Sequence, residues 1–443
     1  MGSSGNEILD MYIYETNTLL EQLETIVLEA EKADTFSQDD VNEIFRIMHT
    51  IKGSSAMMEY DSLATVSHRI EDLFFIIREN TMAVLTYRDY TRIPVVSFGY
   101  WAETVMKWAD EGHIGREEAI NYVEAGDNSE GDKAIMKKLG FDFNWNSCFS
   151  SEVLLFPPFE EKILEEFPDG SRIIRDGQGL ICKVKPGTVS IPAEIGTSMT
   201  DRKAWEELYL PKLQMSRDRI DFKRLEELKQ EPEREIPLGL HLGSFMGNMR
   251  NMLGVEQLSY LYVDDEDLYR EIVDTLCGLG YACAKEVLET GVKFDYAHFW
   301  EDICFKNGPL ISPDVFREFV GPWYKKITDL TSSYGIEIVS VDCDGMIDSL
   351  IPIWLENGVN TMFPIEVGTW NASIAPWREK YGKQLRGVGG MNKTIFARDR
   401  EAVDQEIERL KPLMALGGYI PCPDHRIAPD AKFELVQYYC EKM

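Results

Sequence analysis

The sequence predicts an α/β chain, an eight-stranded parallel (β/α)8 barrel preceded by an all-α helical bundle. Three observations carry this. Residues 6–80 place apolar side chains at spacings of three and four, with no strand-like run among them. From about residue 81 onward, short apolar runs alternate with helix-period segments. Polar residues gather just past the ends of those runs, as they do along the ligand-binding edge of parallel sheets.

Bulk properties narrow the function. The chain has 443 residues, a length that favours two domains. Its net charge of -30 argues against nucleic acid and against anionic membrane surfaces as partners. No apolar run approaches the roughly 18 residues of a membrane span. No basic stretch followed by an apolar one marks a secretory signal. Residues 1–5, Met-Gly-Ser-Ser-Gly, read as a tag-like leader. The eight cysteines are scattered without a CxxC pair, so they read as buried thiols of a cytoplasmic protein.

The bundle, residues 6–80, is expected to hold three helices. The first carries Tyr12, Thr16, Leu19, Leu23, Ile26, Val27 and Ala30 on its stripe. The second buries Val41, Ile44, Phe45, Met48 and Ile51, and the third Leu63, Val66, Ile70, Leu73 and Ile77. On the second helix His49 and Lys52 are three apart and share a face, followed by small residues. An imidazole on an open helix face can accept a phosphoryl group, and an ammonium beside it can stabilise the phosphate oxygens. His68 and Glu71 repeat that spacing on the third helix, where a carboxylate can set the tautomer of His49.

A lone helical histidine is usually an ordinary surface residue, but the strings HTIKGSS and SHRIEDLF say more. They resemble the histidine phosphotransfer (HPt) domain of chemotaxis histidine kinases. The resemblance implies that His49 is the phospho-acceptor, supported by Lys52, His68 and Glu71. It also implies a kinase or response-regulator domain as partner in a phosphorelay. No kinase Gly-rich loop is present, so phosphorylation is expected in trans. Such domains have a fourth helix, and the match stops near Asn80. With the leader, this suggests an engineered fusion, a natural gene fusion being the other reading.

Residues 81–443 supply the barrel. The expected strands lie at residues 92–99, 236–243, 292–299, 336–341, 359–363, 385–390 and 417–421. An eighth is sought in a Gly- and Pro-rich excursion at 141–200, with β-like pieces at 153–156, 171–175 and 180–184, read as a lid. The clearest unit is 336–366: an apolar run ending in Asp342-Cys343-Asp344-Gly345, a helix stopped at Gly358, and a second run ending in Pro364 and Glu366. Barrel geometry would bring His241, Glu301, Asp302, Asp342, Cys343, Asp344, Glu366 and His425 to one rim. Asp342, Asp344 and Asn392 serve equally well as helix caps on sequence grounds.

This part resembles the uroporphyrinogen decarboxylase superfamily, from about Thr91 to the end. The segments that carry the resemblance include PVVSFGYWAETVMKWADEGHI, VDCDGMIDSLIPIWLENGVNTMFPIEV and GGYIPCPDH. It implies a TIM barrel of the uroporphyrinogen decarboxylase type. It also implies one of two activities, porphyrinogen decarboxylation or methyl transfer with a corrinoid protein. True decarboxylases carry an arginine loop for porphyrin carboxylates; Phe98, Tyr100 and Trp101 stand here instead. Thiol-methylating relatives hold zinc through an HxC motif and a later cysteine. Here the first reads Val341-Asp342-Cys343, and His425 stands at the later position. The expectation is therefore a corrinoid-linked methyltransferase of one-carbon metabolism, with cobalamin on a partner protein. A decarboxylase of a small acid or tetrapyrrole-like substrate is the alternative. The expected catalytic residues are Glu301, Asp302, Asp342, Asp344 and His425. Tyr100, Trp101, His241, Asn307, Glu366, Met391 and Asn392 are expected to bind substrate or cofactor, and Cys343 with His425 to bind zinc. Whether the barrel forms a homodimer stays open at this level.

Overall fold

The computed structural model describes residues 4–33, 38–58, 60, 62–63, 65–67, 70, 77–185, 192–231 and 234–443. It divides into two compact units, Met1–Ala83 with Arg88–Pro94, and Val84–Tyr87 with Val95–Met443.

In the first unit, helix α1 spans Ser4–Ala33 and α2 spans Gln38–Met57. Ile44, Ile47, Met48 and Ile51 recur at spacings of three and four along α2, and all are buried. Leu19, Leu23 and Ile26 of α1 pack against them, with Leu63 and Ile70. Val27 and Val66, expected inside, are exposed. Val27 follows the packed Ile26 and lies one residue's turn around α1, outside the buried stripe. Val66 lies on the flank of the Leu63–Ile70 line. Tyr12 Oη and Ser55 Oγ meet at 2.8 Å in the interior. Gly53 has open space around its Cα, whereas Ser55 is buried, so the KGSS string is open on one side and packed on the other. His49 lies on α2, but its side chain is outside what is described, as are Leu73, His68 and Glu71. A further helix, Ile77–Leu85, runs past the end expected near residue 80.

The second unit is built on parallel strands: β1 (Val96–Ser97), β2 (Phe143–Asn144), β3 (Cys148–Phe149), then, past the antiparallel strands β4 (Lys162–Glu166), β5 (Arg172–Arg175), β6 (Leu180–Val184) and β7 (Ala193–Thr197), β8 (Gly239–Gly243) and β9 (Tyr296–Trp300). A short hairpin of β10 (Cys304–Phe305) and β11 (Gly308–Pro309) precedes β12 (Ile338–Asp342), β13 (Thr361–Phe363), β14 (Arg386–Met391) and β15 (Tyr419–Pro423). The order β15-β14-β13-β12-β9-β8-β3 forms one seven-stranded sheet. Strands β12 and β15 are buried along their whole length, as parallel strands covered on both faces must be.

The ladder is not continuous around the expected ring. Strand β1 pairs with β2 in a separate parallel pair. Residues 145–147 separate the segment paired with β1 from the segment paired with β8. Trp145 N still donates to Ser97 O and Ser147 O accepts from Gly239 N. Between β15 and β1 the connection is a bridge, Tyr100 to Ile427, with Ile427 N donating to Gly99 O. The second parallel strand therefore lies at the very start of the expected excursion. Residues 153–156 do not form the expected strand. The buried Arg219 guanidinium takes the carbonyls of Glu152 and Leu154 at 2.6 and 2.8 Å, so these acceptors are used up outside any ladder.

Strands β4–β7 form an antiparallel sheet in sequential order. It packs on the helix Met246–Asp264, where Thr197 Oγ1 donates to Met252 O and Glu194 accepts from Val255 N. No described residue of this sheet lines the cavity described next; the excursion reaches that cavity through Asn146, Cys148 and Ser150.

Candidate functional site

Pairing register assembles the site. His241 of β8 lies beside His298 of β9, which lies beside Ser340 of β12. Two residues further on, Trp300 lies beside Asp342, and Asp342 beside Phe363. Because alternate residues of a strand share a face, His298 and Trp300 point the same way, as do Ser340 and Asp342. A cavity of about 440 Å³ opens at this strand edge. Its wall includes Phe98, Trp101, Asp127, His241, His298, Trp300, Asp302, Asp342, Asp344, His425 and Arg426.

Six of the expected residues meet here: Trp101, His241, Asp302, Asp342, Asp344 and His425. His425 Nε2 lies 3.1 Å from Asp344 Oδ2. Its ring stacks on Trp101 at 5.6 Å and tilts against Phe98 at 5.6 Å. Asp302 adopts a left-handed backbone, φ 52°, a strained conformation for a residue with a side chain. It forms an ion pair with Arg250 at 3.6 Å. Gly345, φ 86°, turns the chain just after Asp344. A Cβ there would come within 2.5 Å of Cys304 O, so only glycine fits.

Other expected residues stand elsewhere. Glu301 is fully buried and off the cavity wall. Its carboxylate accepts from the backbone N–H groups of Phe245, Met246 and Gly247 at 3.2, 2.9 and 2.9 Å, and from the hydroxyls of Ser244 and Tyr324. It satisfies the orphan donors at the start of the helix Met246–Asp264, where a negative charge is favoured. Its catalytic assignment is thus replaced by a structural one. Glu301→Gln puts an amide against those N–H donors. It should cost about 3 kcal/mol of stability, read as a lower urea midpoint. An unchanged midpoint would refute the structural role.

Tyr100 faces the core against Trp108 and Tyr122 rather than the cavity. Glu366 accepts from Gly345 N at 2.5 Å and from Thr369, so it braces the Asp344 turn. Met391 is buried at the end of β14. The Asn392 side chain caps the following turn by accepting from Thr394 N. Asn307 is exposed in the hairpin between β10 and β11.

Cys343 does not join His425. Its neighbour Asp342 lies on the cavity wall and Cys343 does not, as the pleat of adjacent residues dictates. Its sulfur accepts from Ile303 N at 3.4 Å, and burial pushes its thiol well up, away from the thiolate that zinc requires. Among the described residues no three His, Cys, Asp or Glu side chains are placed to hold a metal ion. The expected zinc site does not fit this chain. All eight cysteines are free thiols.

The residues that sequence reasoning passed over include His298, Trp300, Asp127 and Arg426. The first two follow from the period of two along β9. Asp127 lies in a loop and has no such signal. It receives both Nη atoms of Arg426, at 3.0 and 2.6 Å, and the side-chain amides of Asn144 and Asn146.

Electrostatics sets the protonation of the wall. Burial holds His241 down at about 4, and burial together with His241 holds His298 well below the ordinary imidazole range. Both are neutral near pH 7. Gly243 N donates to His241 Nδ1, which leaves the proton on Nε2. Burial, then the charges of Asp344 and Asp302, raises Asp342 well above the usual carboxyl range; Arg426 opposes this. Asp302 is raised by burial and by Asp344. Asp132, which accepts from Asn128 N, is raised by burial to about 6.

The carboxyl and histidine shifts act on stability in opposite directions. A carboxyl raised in the folded state keeps its proton where the unfolded chain has lost it, so its contribution falls as pH rises from the unfolded carboxyl range through the folded value, a window of about 4 to about 6 for Asp132. A histidine lowered in the folded state favours folding increasingly as pH rises from its folded value, about 4 for His241, to the unfolded imidazole range. Asp132→Asn should therefore change the temperature of unfolding more favourably at about pH 7 than at about pH 4. A difference of the opposite sign would contradict the assignment.

Comparison with known proteins agrees with this architecture. Residues 7–86 match the Hpt domain model, and residues 171–443 match the uroporphyrinogen decarboxylase (URO-D) model. The chemotaxis protein CheA of Treponema pallidum is 36% identical over 84 residues, 19% of this chain and 10% of that protein. CheA of Listeria monocytogenes is 39% identical over 77 residues, 17% of this chain and 12% of that protein. The chain thus spans about a tenth of the length of these relatives. Among solved structures, a methyltransferase from Methanosarcina mazei superposes with a TM-score of 0.55 at 16% identity, covering 83% of this chain and 99% of that one. That likeness is one of fold. No described helix is long and apolar enough to cross a membrane. With its N-terminal segment an Hpt domain, and with more than half its length matched by one enzyme-family model, the chain belongs to the uroporphyrinogen decarboxylase (URO-D) family.

Proposed function

We propose that the URO-D part closes as a (β/α)8 barrel and is a methyltransferase. It would move a methyl group between a corrinoid carried by a partner protein and a small oxygen or nitrogen compound. The observation that carries this is Asp342. It is 8% exposed and lines the cavity, and its side chain has no hydrogen-bond partner among the described residues. Burial, with Asp344 and Asp302 beside it, raises its carboxyl well above the usual range. Cleavage of the carbon–oxygen bond of an ether, or of the carbon–nitrogen bond of an uncharged amine, leaves an electron pair that needs a proton, and a buried carboxylic acid supplies one. The Asp344–His425 pair, stacked under Trp101, orients the ligand beside it.

Two other chemistries are less well served. Thiol methylation through zinc needs a thiolate at the cavity; Cys343 is turned away from it, and burial pushes the thiol of Cys148, which lines it, up to about 12. A porphyrinogen with its many carboxylates needs clustered cations, whereas Arg426, the one guanidinium on the wall, is bound by Asp127. A corrin macrocycle is larger than a cavity of about 440 Å³, so the corrinoid would stay with its carrier and approach from the rim. Mixing the protein with a purified reduced corrinoid protein and a panel of methyl ethers and methylamines should change the cobalt absorption spectrum with at least one donor. If none does so, and carbon dioxide is instead released from a small acid, the lyase reading replaces this one.

For the Hpt domain we infer phosphoryl transfer to His49 from a separate kinase domain, with Lys52 beside it. The kinship of this segment with CheA supports the reading. Labelled ATP and a chemotaxis kinase domain should label the protein, and His49→Gln should abolish the label. Undiminished labelling of that variant would exclude His49.

A further inference from the structure

We infer that the cavity at the strand edge takes a small N-methylated ammonium cation as its ligand. This rests on the methyltransferase reading and narrows its substrate class. The wall carries four carboxylates, Asp127, Asp302, Asp342 and Asp344, against one guanidinium, Arg426. Arg426 is committed to Asp127 by two hydrogen bonds, and Asp302 has Arg250 at 3.6 Å. His425 stands against Asp344, and the other two wall histidines are His241 and His298. Two acceptors remain, the Asp342 carboxylate and the buried Oδ1 of Asp344, which has no partner among the described residues. Asp342 is nine-tenths buried, lines the cavity, and its side chain has no hydrogen-bond donor among the described residues. Water-poor surroundings make an isolated carboxylate costly, and a cation beside it relieves that cost.

The remaining wall suits the same ligand. Phe98, Trp101 and Trp300 line the cavity, and two of these rings already carry a cation, Arg426 over Phe98 at 5.9 Å and Arg250 over Trp300 at 5.6 Å. An alkylated ammonium is attracted by the negative face of an aromatic ring, and it carries apolar methyl groups that such rings bury well. An anion of the same shape would meet the carboxylates and be repelled. A neutral ether would gain the apolar contacts and nothing from Asp342. The chemistry of the proposed reaction is consistent. When the carbon–nitrogen bond of an ammonium breaks, the electron pair stays on nitrogen, a neutral amine leaves, and the methyl passes to the low-valent corrinoid of the partner. An amine that arrives uncharged takes the proton of Asp342 and becomes the same cation.

Three isosteric probes test this by calorimetry on the full chain: choline, 3,3-dimethyl-1-butanol and 3,3-dimethylbutanoate. They share a shape and differ in charge. Choline should bind at least tenfold more tightly than the alcohol, and the carboxylate should not bind. Asp342→Asn should weaken choline at least tenfold and leave the alcohol unchanged, with circular dichroism confirming the fold. Equal or tighter binding of the alcohol or the carboxylate overturns the inference. So does choline affinity that is unchanged in Asp342→Asn. Selective choline binding without methyl transfer from any donor would uphold the cation site and reject the methyltransferase reading. Methyl transfer from neutral ethers alone, without cation binding, would do the reverse.

Discussion

Asp342→Asn should lower methyl transfer by roughly 100-fold or more while raising the temperature of unfolding. The two effects point in opposite directions for one reason. Asp342 is buried beside Asp302 and Asp344, and no described group donates a hydrogen bond to it. The folded chain therefore tolerates this carboxyl at a cost, and an amide of nearly the same shape removes the repulsion without removing a bond. About 1 kcal/mol of added stability is the expected order, since one unit of carboxyl shift corresponds to about 1.4 kcal/mol. The amide can neither give a proton to an uncharged donor nor offer a charge to a cationic one. Single-turnover rates beside thermal unfolding curves read both effects. A variant that is slow and also less stable would mean that Asp342 serves structure rather than chemistry.

Arg426→Ala should destabilise the chain by about 3 kcal/mol, the largest expected stability loss from a residue of the cavity wall. Its guanidinium is held by both oxygens of Asp127 and by Tyr122. Asp127 in turn receives Asn144 and Asn146 from the β2–β3 segment. Arg426 precedes Ile427, whose backbone bridges to Tyr100 past the end of β1. The pair thus clamps the seam where the ladder between β15, β1 and β2 is interrupted. Removing the cation leaves Asp127 charged, largely buried and unpaired. Arg426→Lys should recover less than half of the loss, because an ammonium cannot bind both oxygens in the plane of the carboxylate. Denaturant midpoints of the three proteins decide the matter. Equal midpoints for Arg426→Ala and the parent would remove the clamp from the account.

The same features explain why the site is acidic yet ordered. Each wall carboxylate except Asp342 has a dedicated partner: Arg426 for Asp127, Arg250 for Asp302 and His425 for Asp344. Glu301 and Glu366 are spent on backbone donors that shape the neighbouring turns. The Asp342 side chain has no hydrogen-bond donor among the described residues, and on Asp344 only Oδ2 meets His425, its buried Oδ1 being without a partner among them. Groups of that kind concentrate at sites of chemistry.

Much of the frame was legible in the chain itself. Apolar runs ending in polar residues located β8, β9, β12, β13, β14 and β15, because a strand buried on both faces must be apolar and must stop where it meets solvent. Helical spacing located the packed stripe of Ile44, Met48 and Ile51. The string around His49 pointed to the Hpt domain, and the strand-end segments to the URO-D family. The short strands β2 and β3 were not legible, since two-residue ladders leave no periodic signal.

Only the tertiary structure decided which polar residues work together. Glu301 and Asp302 are adjacent in sequence, yet one is enclosed by a helix N-terminus and the other faces the cavity. Asp127 and Arg426 are 299 positions apart and form the tightest pair on the wall. Partners so distant in the chain are set by sheet register and loop packing, which no local pattern records. The sequence by itself determined the two modules, the strand-end character of the site and that Val341 and Asp342, with no histidine, precede Cys343. The fold determined that Cys343 turns inward and that, beside the unpartnered Oδ1 of Asp344, Asp342 faces the cavity with no donor to its side chain among the described residues. Its protonation depends on burial and on neighbouring charges, and both exist only once the strands have come together.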